Sequence, residues 1–322
     1  MEVSFIIPHK GRHLMLVQTV TSIAQQNYPL TDVEVIIISE SEALKEEVFI
    51  NPIFEQLTIV IKHYNGDTIS AMRNMGLMLA TGKYIGFIDA DVQLSANWLK
   101  TMKDTLNQQD VVMSSAWQIC GKDATQLENV RVALSNIQVD CDLMFLPGRN
   151  LFLLREHVER VGGFPEHLIT CEDYYFTHKV AEYGRLRYLS SANYVHLGED
   201  KDYRTLWEKE IWRGQSNLQS LSGRDFNWSE LPSLLTPLGI ATFVIAFLIS
   251  TIFGWYQLLP FILACVFLPV LAYSSRLKFG AGNALSFISI FKFYSVYLAA
   301  RSVGTISGVF KKIGAGRGES VT

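Results

Sequence analysis

Two uncharged stretches near the C-terminus constrain this chain more than any other feature. Leu234–Phe253 is 20 residues without a charge, and Trp255–Ser275 is 21 more. A helix needs roughly 20 apolar residues to cross about 30 Å of hydrocarbon. Uncharged runs of this length are rare in soluble domains. Gly254 separates the two, which predicts a tight helical hairpin; the alternative is a buried helix pair in a soluble domain. Arg276 and Lys278 follow at once, and Lys311, Lys312 and Arg317 come later. Basic residues favour the cytoplasmic side, so a two-span hairpin would leave both ends there. Residues Ala284–Phe310 carry Lys292 and Arg301. Charge at mid-membrane is costly, which favours an interfacial amphipathic helix over a third span.

The expected organisation follows. Residues 1–230 form a cytoplasmic domain, 231–276 a transmembrane hairpin, and 277–322 an interfacial helix with a basic tail. Phe226–Pro232 reads as the junction. The net charge of the 322 residues is −3. There is no global basic signature, so nucleic acid is excluded as a main partner. The cysteines, Cys120, Cys141, Cys171 and Cys265, form no CxxC pair and read as free thiols in a reducing compartment. Met1–Pro8 lacks the basic start and long apolar region of an export signal and reads as a first strand.

The first half alternates short apolar runs with helical periodicity. Strands are expected at Val3–Ile7, Val33–Ile38, Leu57–His63, Tyr84–Ile88 and Val111–Ser115. Helices are expected at Leu14–Gln26, Ile69–Ala80 and Ala96–Gln108, with Gly82 as a stop after the second. This order predicts an α/β fold with a mainly parallel sheet flanked by helices. Such sheets bind ligands beyond the C-terminal ends of their strands. Residues 116–200 are less regular, with a strand at Leu151–Leu154, a turn at Gly162-Gly163-Phe164-Pro165 and a helix near Asp173–Tyr183.

Four segments carry chemistry. In Ile85-Gly86-Phe87-Ile88-Asp89-Ala90-Asp91 a buried strand runs into two acids one residue apart, which alternation along a strand would place on the same side. Two such charges repel, so a positive group belongs beside them. Mg²⁺ or Mn²⁺ suits these oxygens and also takes substrate phosphates and water; two unrelated surface acids are the alternative. In Thr170-Cys171-Glu172-Asp173-Tyr174 the acids precede a helix whose N-terminus favours the anion. Either Asp173 or Glu172 is placed for general-base work, or they merely cap the helix. His196, after an apolar strand, is a structural histidine or a neutral metal ligand. Arg213, in Trp212-Arg213-Gly214-Gln215, suits a diphosphate oxygen or anionic lipid. Trp207, Trp212 and Trp228 precede the apolar runs, as interfacial anchors or as stacking platforms for acceptor sugars.

Taken in order, Phe5-Ile6-Ile7-Pro8, Ile36–Glu40, Ser70-Ala71-Met72-Arg73-Asn74-Met75-Gly76 with Ala80-Thr81-Gly82, Asp89-Ala90-Asp91 and Glu172-Asp173 resemble family 2 glycosyltransferases of the inverting GT-A type. The resemblance covers roughly residues 1–220, and the apolar hairpin is similar to membrane-attached members that build surface polysaccharides or glycolipids. It implies a GT-A, Rossmann-like fold and transfer of a sugar from a nucleotide-diphosphate sugar, UDP-linked, to a lipid-linked or glycan acceptor, with Mn²⁺ or Mg²⁺. It implies that Pro8, Glu40, Arg73 and Asp89 lie along the donor and that Arg213 holds the diphosphate. Asp91 with Asp89 and His196 would hold the metal, and Asp173, beside Glu172, would be the base. The chain departs from the family at Ser39-Glu40-Ser41, where Asp-Asp-Gly-Ser is usual, and Glu40 is the substitute. It also has Trp212-Arg213-Gly214-Gln215 where processive synthases carry Gln-x-x-Arg-Trp, which argues against polymerisation.

Three other readings compete. A nicotinamide dehydrogenase would need a glycine-rich turn after the first strand, and His9-Lys10-Gly11-Arg12 holds one glycine. A nucleotide-dependent transferase of another class would use the same acids. A membrane-anchored scaffold that binds nucleotide sugars without catalysis would have no need of Asp89, Asp91 and Asp173 together.

Overall fold

A computed structural model describes residues 1–215, 228, 231–281 and 284–318. The chain divides into two compact units. One comprises Met1–Asp123 and Gln138–Glu199; the other comprises Ala124–Ile137 with the chain from Asp200 onward.

The first unit is built on a nine-stranded sheet. Its strands are β1 (Val3–His9), β2 (Val33–Ser39), β3 (Thr58–His63), β4 (Tyr84–Ile88), β5 (Val92–Leu94), β6 (Val111–Ile119), β7 (Cys141–Leu143), β8 (Asn150–Leu154) and β9 (Arg185–His196). The order is β3-β2-β1-β4-β8-β6-β9-β5, with β7 on β9. Five helices belong to this unit: α1 (His13–Ala24), α2 (Ile69–Leu79), α3 (Trp98–Leu106), α5 (Arg155–Val161) and α6 (Glu172–Ala181). The predicted strands and helices are present, with ends shifted by a few residues.

The first four strands are parallel neighbours, as the alternating strand–helix order predicts. The sheet then departs from the expected parallel pattern. β8 inserts antiparallel between β4 and β6, and β5 and β7 both run antiparallel to β9. The reason is topological: β8 does not follow β4 through a single crossover helix, so its direction is free of the βαβ constraint. The α/β sheet with flanking helices stands; its second half is mixed.

Burial on both faces explains the mostly apolar sequences of β1, β2 and β4. Alternation divides each strand. Val3, Phe5 and Ile7 join the core under α1 and α3, while Ile6 joins the core on the opposite face with Ile36, Ile85 and Phe87. In α1, Leu16, Val20 and Ile23 recur at helical spacing and are buried. The side chain of Thr68 caps α2 by accepting from Ala71 N at 3.1 Å. At Gly76 an added Cβ would strike Ile6, so α2 lies close on the sheet. The Ala80-Thr81-Gly82 segment is pinned by Glu34, whose carboxylate accepts from Ser4 Oγ at 2.6 Å and Thr81 N at 2.6 Å. Gly82 N in turn donates to Ser4 Oγ at 2.8 Å.

The second unit is helical. It contains α4 (Gln126–Ser135), α7 (Tyr203–Gly214), α8 (Leu231–Ile252), α9 (Leu259–Ala281) and α10 (Phe287–Gly318). A capping box starts α4, with Thr125 Oγ1 accepting from Glu128 N and Glu128 accepting from Thr125 N. Two helical segments have the length and apolarity to cross a bilayer, Leu231–Ile252 and Tyr256–Ala281. Each has a mean hydropathy of 2.1 in its most apolar window, only 17 % of which is buried. They meet at Gly254, whose φ of 74° belongs to glycine. The junction expected at Phe226–Pro232 lies, up to residue 230 and apart from Trp228, outside the described residues, as do the side chains of Lys311, Lys312 and Arg317.

The third apolar stretch is the single 32-residue α10. Its central Arg301 donates to the fully buried Glu210 of α7 through Nη2 at 2.6 Å and Nε at 2.9 Å. Gly304 and Gly308 face the α7 backbone, where any Cβ would strike Ile211 O or Gln215 O. The Arg301 charge that argued against a span is thus met by a partner carboxylate within the unit.

Gly82 offers a clean test of the packing beneath the Ala80–Gly82 segment. An added Cβ would lie 2.7 Å from the Ser4 backbone nitrogen, a group that cannot move aside without breaking β1. Gly82→Ala is expected to cost about 1–3 kcal/mol, read as a lowered midpoint in thermal or denaturant unfolding.

Candidate active site

The chemistry gathers where β4 and β9 end and β5 begins. Asp89-Ala90-Asp91 occupies the turn between β4 and β5 rather than a strand. This corrects the expectation that the two acids alternate along a strand; each is positioned by its own partners, Asp89 by Arg73 and Asp91 by Arg12 and His196. Asp89 N donates to Arg149 O at 3.0 Å, because Ile88 lies opposite Asn150 in the β4–β8 pair. Leu197 N donates to Asp91 O at 2.7 Å, because Val92 lies opposite His196 in the β5–β9 pair. Register thus brings His196 beside Asp91 from more than 100 residues away.

Arg73, on α2, ties this turn to the N-terminus of α6. Its side chain is 2 % exposed. Nη2 lies 2.9 Å from Asp89 Oδ1 and donates to Gly148 O at 3.2 Å; Nη1 lies 3.0 Å from Glu172 Oε1. The guanidinium also stacks over Phe164 at 4.8 Å. Asp173, next in sequence to Glu172, accepts from Gly148 N at 3.1 Å and Tyr174 N at 2.8 Å. Asp89 of the β4–β5 turn and Glu172 of α6 therefore share one cation. The neighbouring Asn74 serves the fold: it donates to Phe164 O and accepts from Phe164 N, both at 2.9 Å, holding the Gly162-Gly163 turn.

Asp91 is engaged on both oxygens. Arg12 Nη1 reaches Oδ2 at 2.6 Å, and His196 Nε2 lies 3.4 Å from Oδ1. The other nitrogen of His196 meets Glu199 Oε2 at 3.2 Å. Glu199 is held by Gln118 Nε2 at 3.0 Å and by Arg149 at 3.5 Å. Two glycines make room for these groups. A Cβ at Gly198 would strike the Asp91 carboxylate, and one at Gly148 would lie 3.0 Å from Asp173 Cβ and 3.1 Å from Arg73 Nη2.

Environment separates the acids. Burial pushes the Asp89 carboxyl above its ordinary range, with Arg73 pulling against it. Burial also pushes Asp91 upward, but the His196 hydrogen bond and the charges of His196, Arg12 and Arg149 outweigh it and leave Asp91 low. Burial and the repulsion of Asp173 push Glu172 up to about 7, against the attraction of Arg73.

The donor set suits a small divalent cation. His196 shares Nδ1 with a carboxylate, the orientation typical of a metal-binding imidazole, and turns Nε2 toward Asp91. Adjacent ligands around an octahedral ion of this size are about 3 Å apart, close to the Asp91–His196 separation. Among the described residues no group of three or more His, Cys, Asp or Glu side chains is gathered to hold an ion alone. A cation here would complete its shell with substrate oxygens and water.

The remaining predicted residues lie elsewhere. Pro8 ends β1 beside His9, whose Nδ1 meets Ser39 Oγ at 2.9 Å and whose burial lowers its pKa to about 4. Glu40 follows β2 and pairs with Lys10 at 2.7 Å. Arg213 belongs to the second unit, where its guanidinium is bound to Glu210. Sequence reasoning missed Arg12, Arg149, Glu199 and Gly198, because each acquires its place from a partner distant in the chain. For Glu199 the one available signal was its position three residues after His196.

Known proteins share part of this sequence and its fold. The family model described as Glycosyl transferase family 2 matches residues 4–161, a span that ends before Glu172, Asp173 and His196. The poly(ribitol-phosphate) beta-glucosyltransferase of Bacillus spizizenii is 23 % identical over 218 residues, 65 % of this chain and 33 % of that protein. Glycosyltransferase AglE of Haloferax volcanii is 25 % identical over 190 residues, 56 % of this chain and 62 % of that protein. The alignments thus span about a third of the Bacillus relative and less than two thirds of the Haloferax one. The mannosyltransferase PcManGT from Pyrobaculum calidifontis, solved in complex with GDP-Man and Mn²⁺, superposes with a TM-score of 0.61 at 17 % identity, covering 95 % of this chain and 87 % of its own. Residues 1–349 of TarS from S. aureus, with UDP-GlcNAc, superpose with a TM-score of 0.51 at 16 % identity, covering 94 % and 90 %. This chain carries a family 2 glycosyltransferase domain on a GT-A fold.

Proposed function

We propose that the protein is a metal-dependent, inverting glycosyltransferase, moving a sugar from a nucleotide-diphosphate donor to an acceptor hydroxyl at a membrane surface. The observation that carries this reading is the Arg73 bridge between Asp89 and Glu172. It ties an acid of the β4–β5 turn to an acid of α6 at the strand ends, where α/β sheets take ligands.

Asp91 and His196, with Asp89 beside them, are the groups that would hold Mn²⁺ or Mg²⁺. Such an ion supplies Lewis acidity against the charge that builds on the departing diphosphate. Asp173 takes the acceptor proton as the hydroxyl attacks the anomeric carbon from the face opposite the leaving group. Its two backbone N–H donors keep it oriented. Arg73 holds Asp89 and Glu172, and Glu199 fixes the ring of His196. Pro8, near the end of β1, and Glu40, just after β2, are the residues this reading assigns to the nucleoside. UDP is the donor nucleotide this reading favours, by analogy with the UDP-GlcNAc bound to TarS, whereas PcManGT binds GDP-Man. Arg213, whose guanidinium is bound to Glu210, keeps the diphosphate role that the family resemblance implies.

The apolar helices support a membrane setting. Most of each candidate span is exposed, unlike the core helix of a soluble protein. A multi-pass anchor with the catalytic unit in the cytoplasm would bring the site to a lipid-linked or glycan acceptor at raised effective concentration.

A second reading exchanges the two neighbouring acids. With its pKa raised to about 7, Glu172 matches a base working near neutrality. Its contact with Arg73 instead favours a positioning role.

Variants distinguish these roles. Asp173→Asn should retain donor binding and lose turnover by about 10²–10⁴-fold; normal turnover would remove Asp173 as the base and pass the role to Glu172. Asp91→Ala should abolish the Mn²⁺-dependent thermal stabilisation by UDP-sugars that the wild type is expected to show. Equal stabilisation with and without chelator in the wild type would refute metal dependence.

Glu172 also predicts a pH effect. Its folded pKa lies above its unfolded one, so the folded state holds the extra proton and stability falls as pH rises from about 4.5 to about 7. Glu172→Gln should lack that part of the decline, read from melting midpoints at pH 5 and pH 8. A wild type and variant whose midpoints change in parallel would show that Glu172 ionises normally.

A further inference from the structure

Three arginines neutralise the acids of the site, and they differ in how firmly they are held. Arg73 is fully buried and shared by Asp89 and Glu172. Arg149 is mostly buried and meets Gln118 Oε1 at 2.7 Å as well as Glu199. Arg12 is different. Its side chain is 51 % exposed, and it reaches Asp91 from a loop, Lys10-Gly11-Arg12, rather than from a packed element. Gly11 and Arg12 both have positive φ, 62° and 57°. The left-handed conformation is uncommon for a non-glycine residue and here turns Arg12 back over the strand ends. Among the described residues, Asp91 is the partner of its guanidinium, and Gly198 leaves the space in which the two meet.

We propose that Arg12 is a displaceable counterion of Asp91, holding the carboxylate until a nucleotide diphosphate draws the guanidinium away and leaves Asp91 to the divalent cation. This rests on the metal-dependent reading above and adds an order to it. A cation arriving alone meets a carboxylate already neutralised, and a positive charge a few ångströms away. A cation arriving with a diphosphate meets a carboxylate whose guanidinium has a better partner, since phosphate oxygens suit the planar fork of arginine. Cation and donor then bind as a coupled pair, each raising the affinity for the other. The device would limit occupancy of the site by metal in the absence of donor. Arg12 would also serve the donor: once released from Asp91, it is a diphosphate-binding residue from the β1–α1 loop.

The proposal is tested by Mn²⁺ binding to the full chain in detergent, followed by electron paramagnetic resonance without nucleotide. Arg12→Asn removes the charge and tolerates positive φ; Arg12→Gly does the same without a side chain, should the first variant fold poorly. Both are expected to bind Mn²⁺ about tenfold more tightly than wild type, the order set by removing one unit charge a few ångströms from a divalent ion in a partly solvated site. Arg12→Lys keeps the charge and is expected to stay close to wild type, and Asp91→Asn to lose the site. Addition of UDP should tighten Mn²⁺ binding more in wild type than in Arg12→Asn. Unchanged or weaker Mn²⁺ binding in Arg12→Asn and Arg12→Gly, with Asp91→Asn still losing it, overturns the role of Arg12 and leaves the metal site standing. Equal Mn²⁺ binding by wild type and Asp91→Asn removes the metal site, and this proposal with it.

Discussion

The first unit depends on one buried guanidinium. Taking Arg73 out of water costs several kcal/mol unless its charge and donors are met. Asp89, Glu172 and Gly148 O meet the charge and the two terminal nitrogens from three separate segments, while the buried Nε has no hydrogen-bond partner among the described residues. The cost of leaving any of these groups unpaired holds α2, the β4–β5 turn, the loop before β8 and the start of α6 to one arrangement. The close approach of α2 to β1 at Gly76 and the capping of α2 by Thr68 serve the same end, by fixing where the guanidinium emerges.

Around that node the acids are made chemically different by their surroundings. Asp91 is held low by His196, Arg12 and Arg149, so it stays an anion. Glu172 is pushed up by burial and by its neighbour Asp173, so it carries a proton over part of the neutral range. Glu199 stands behind His196 and is itself anchored by Gln118 and Arg149. One anionic oxygen donor, one oriented imidazole and a separate carboxylate at a helix start are the groups on which the proposed cation-assisted displacement with general-base help would draw.

The second unit repeats the same physical device. Glu210 is fully buried, and Arg301, Arg213 and Arg131 converge on it. Burial would raise its pKa, and these three charges bring it below the ordinary range instead. The pairing changes the meaning of Arg301 in an otherwise apolar helix. Read along the sequence, it was a charge needing water or an interface; in three dimensions its partner is a carboxylate of α7, approached closely because Gly304 and Gly308 carry no side chain.

The sequence by itself determined the local elements and the residue chemistry. The doubly buried strands β1, β2 and β4 were legible because each is dominated by apolar, largely β-branched or aromatic residues. The hairpin was legible because two uncharged stretches flank Gly254, and the acids 89, 91, 172 and 173 because they occur at element ends. Tertiary structure decided everything that depends on pairing between distant segments. The antiparallel insertion of β8 and the twelve-residue β9 leave only a weak pattern, since charged residues alternate through Arg185–Arg187 and a hydrogen-bond partner leaves no mark on composition. Arg12, Arg149, Glu199 and Gly198 look like ordinary loop and strand residues until register brings them to Asp91 and His196. A side chain's type and its local periodicity are encoded at its own position; its electrostatic role is set by whichever charge folding places beside it, and only the paired sheet supplies that neighbour.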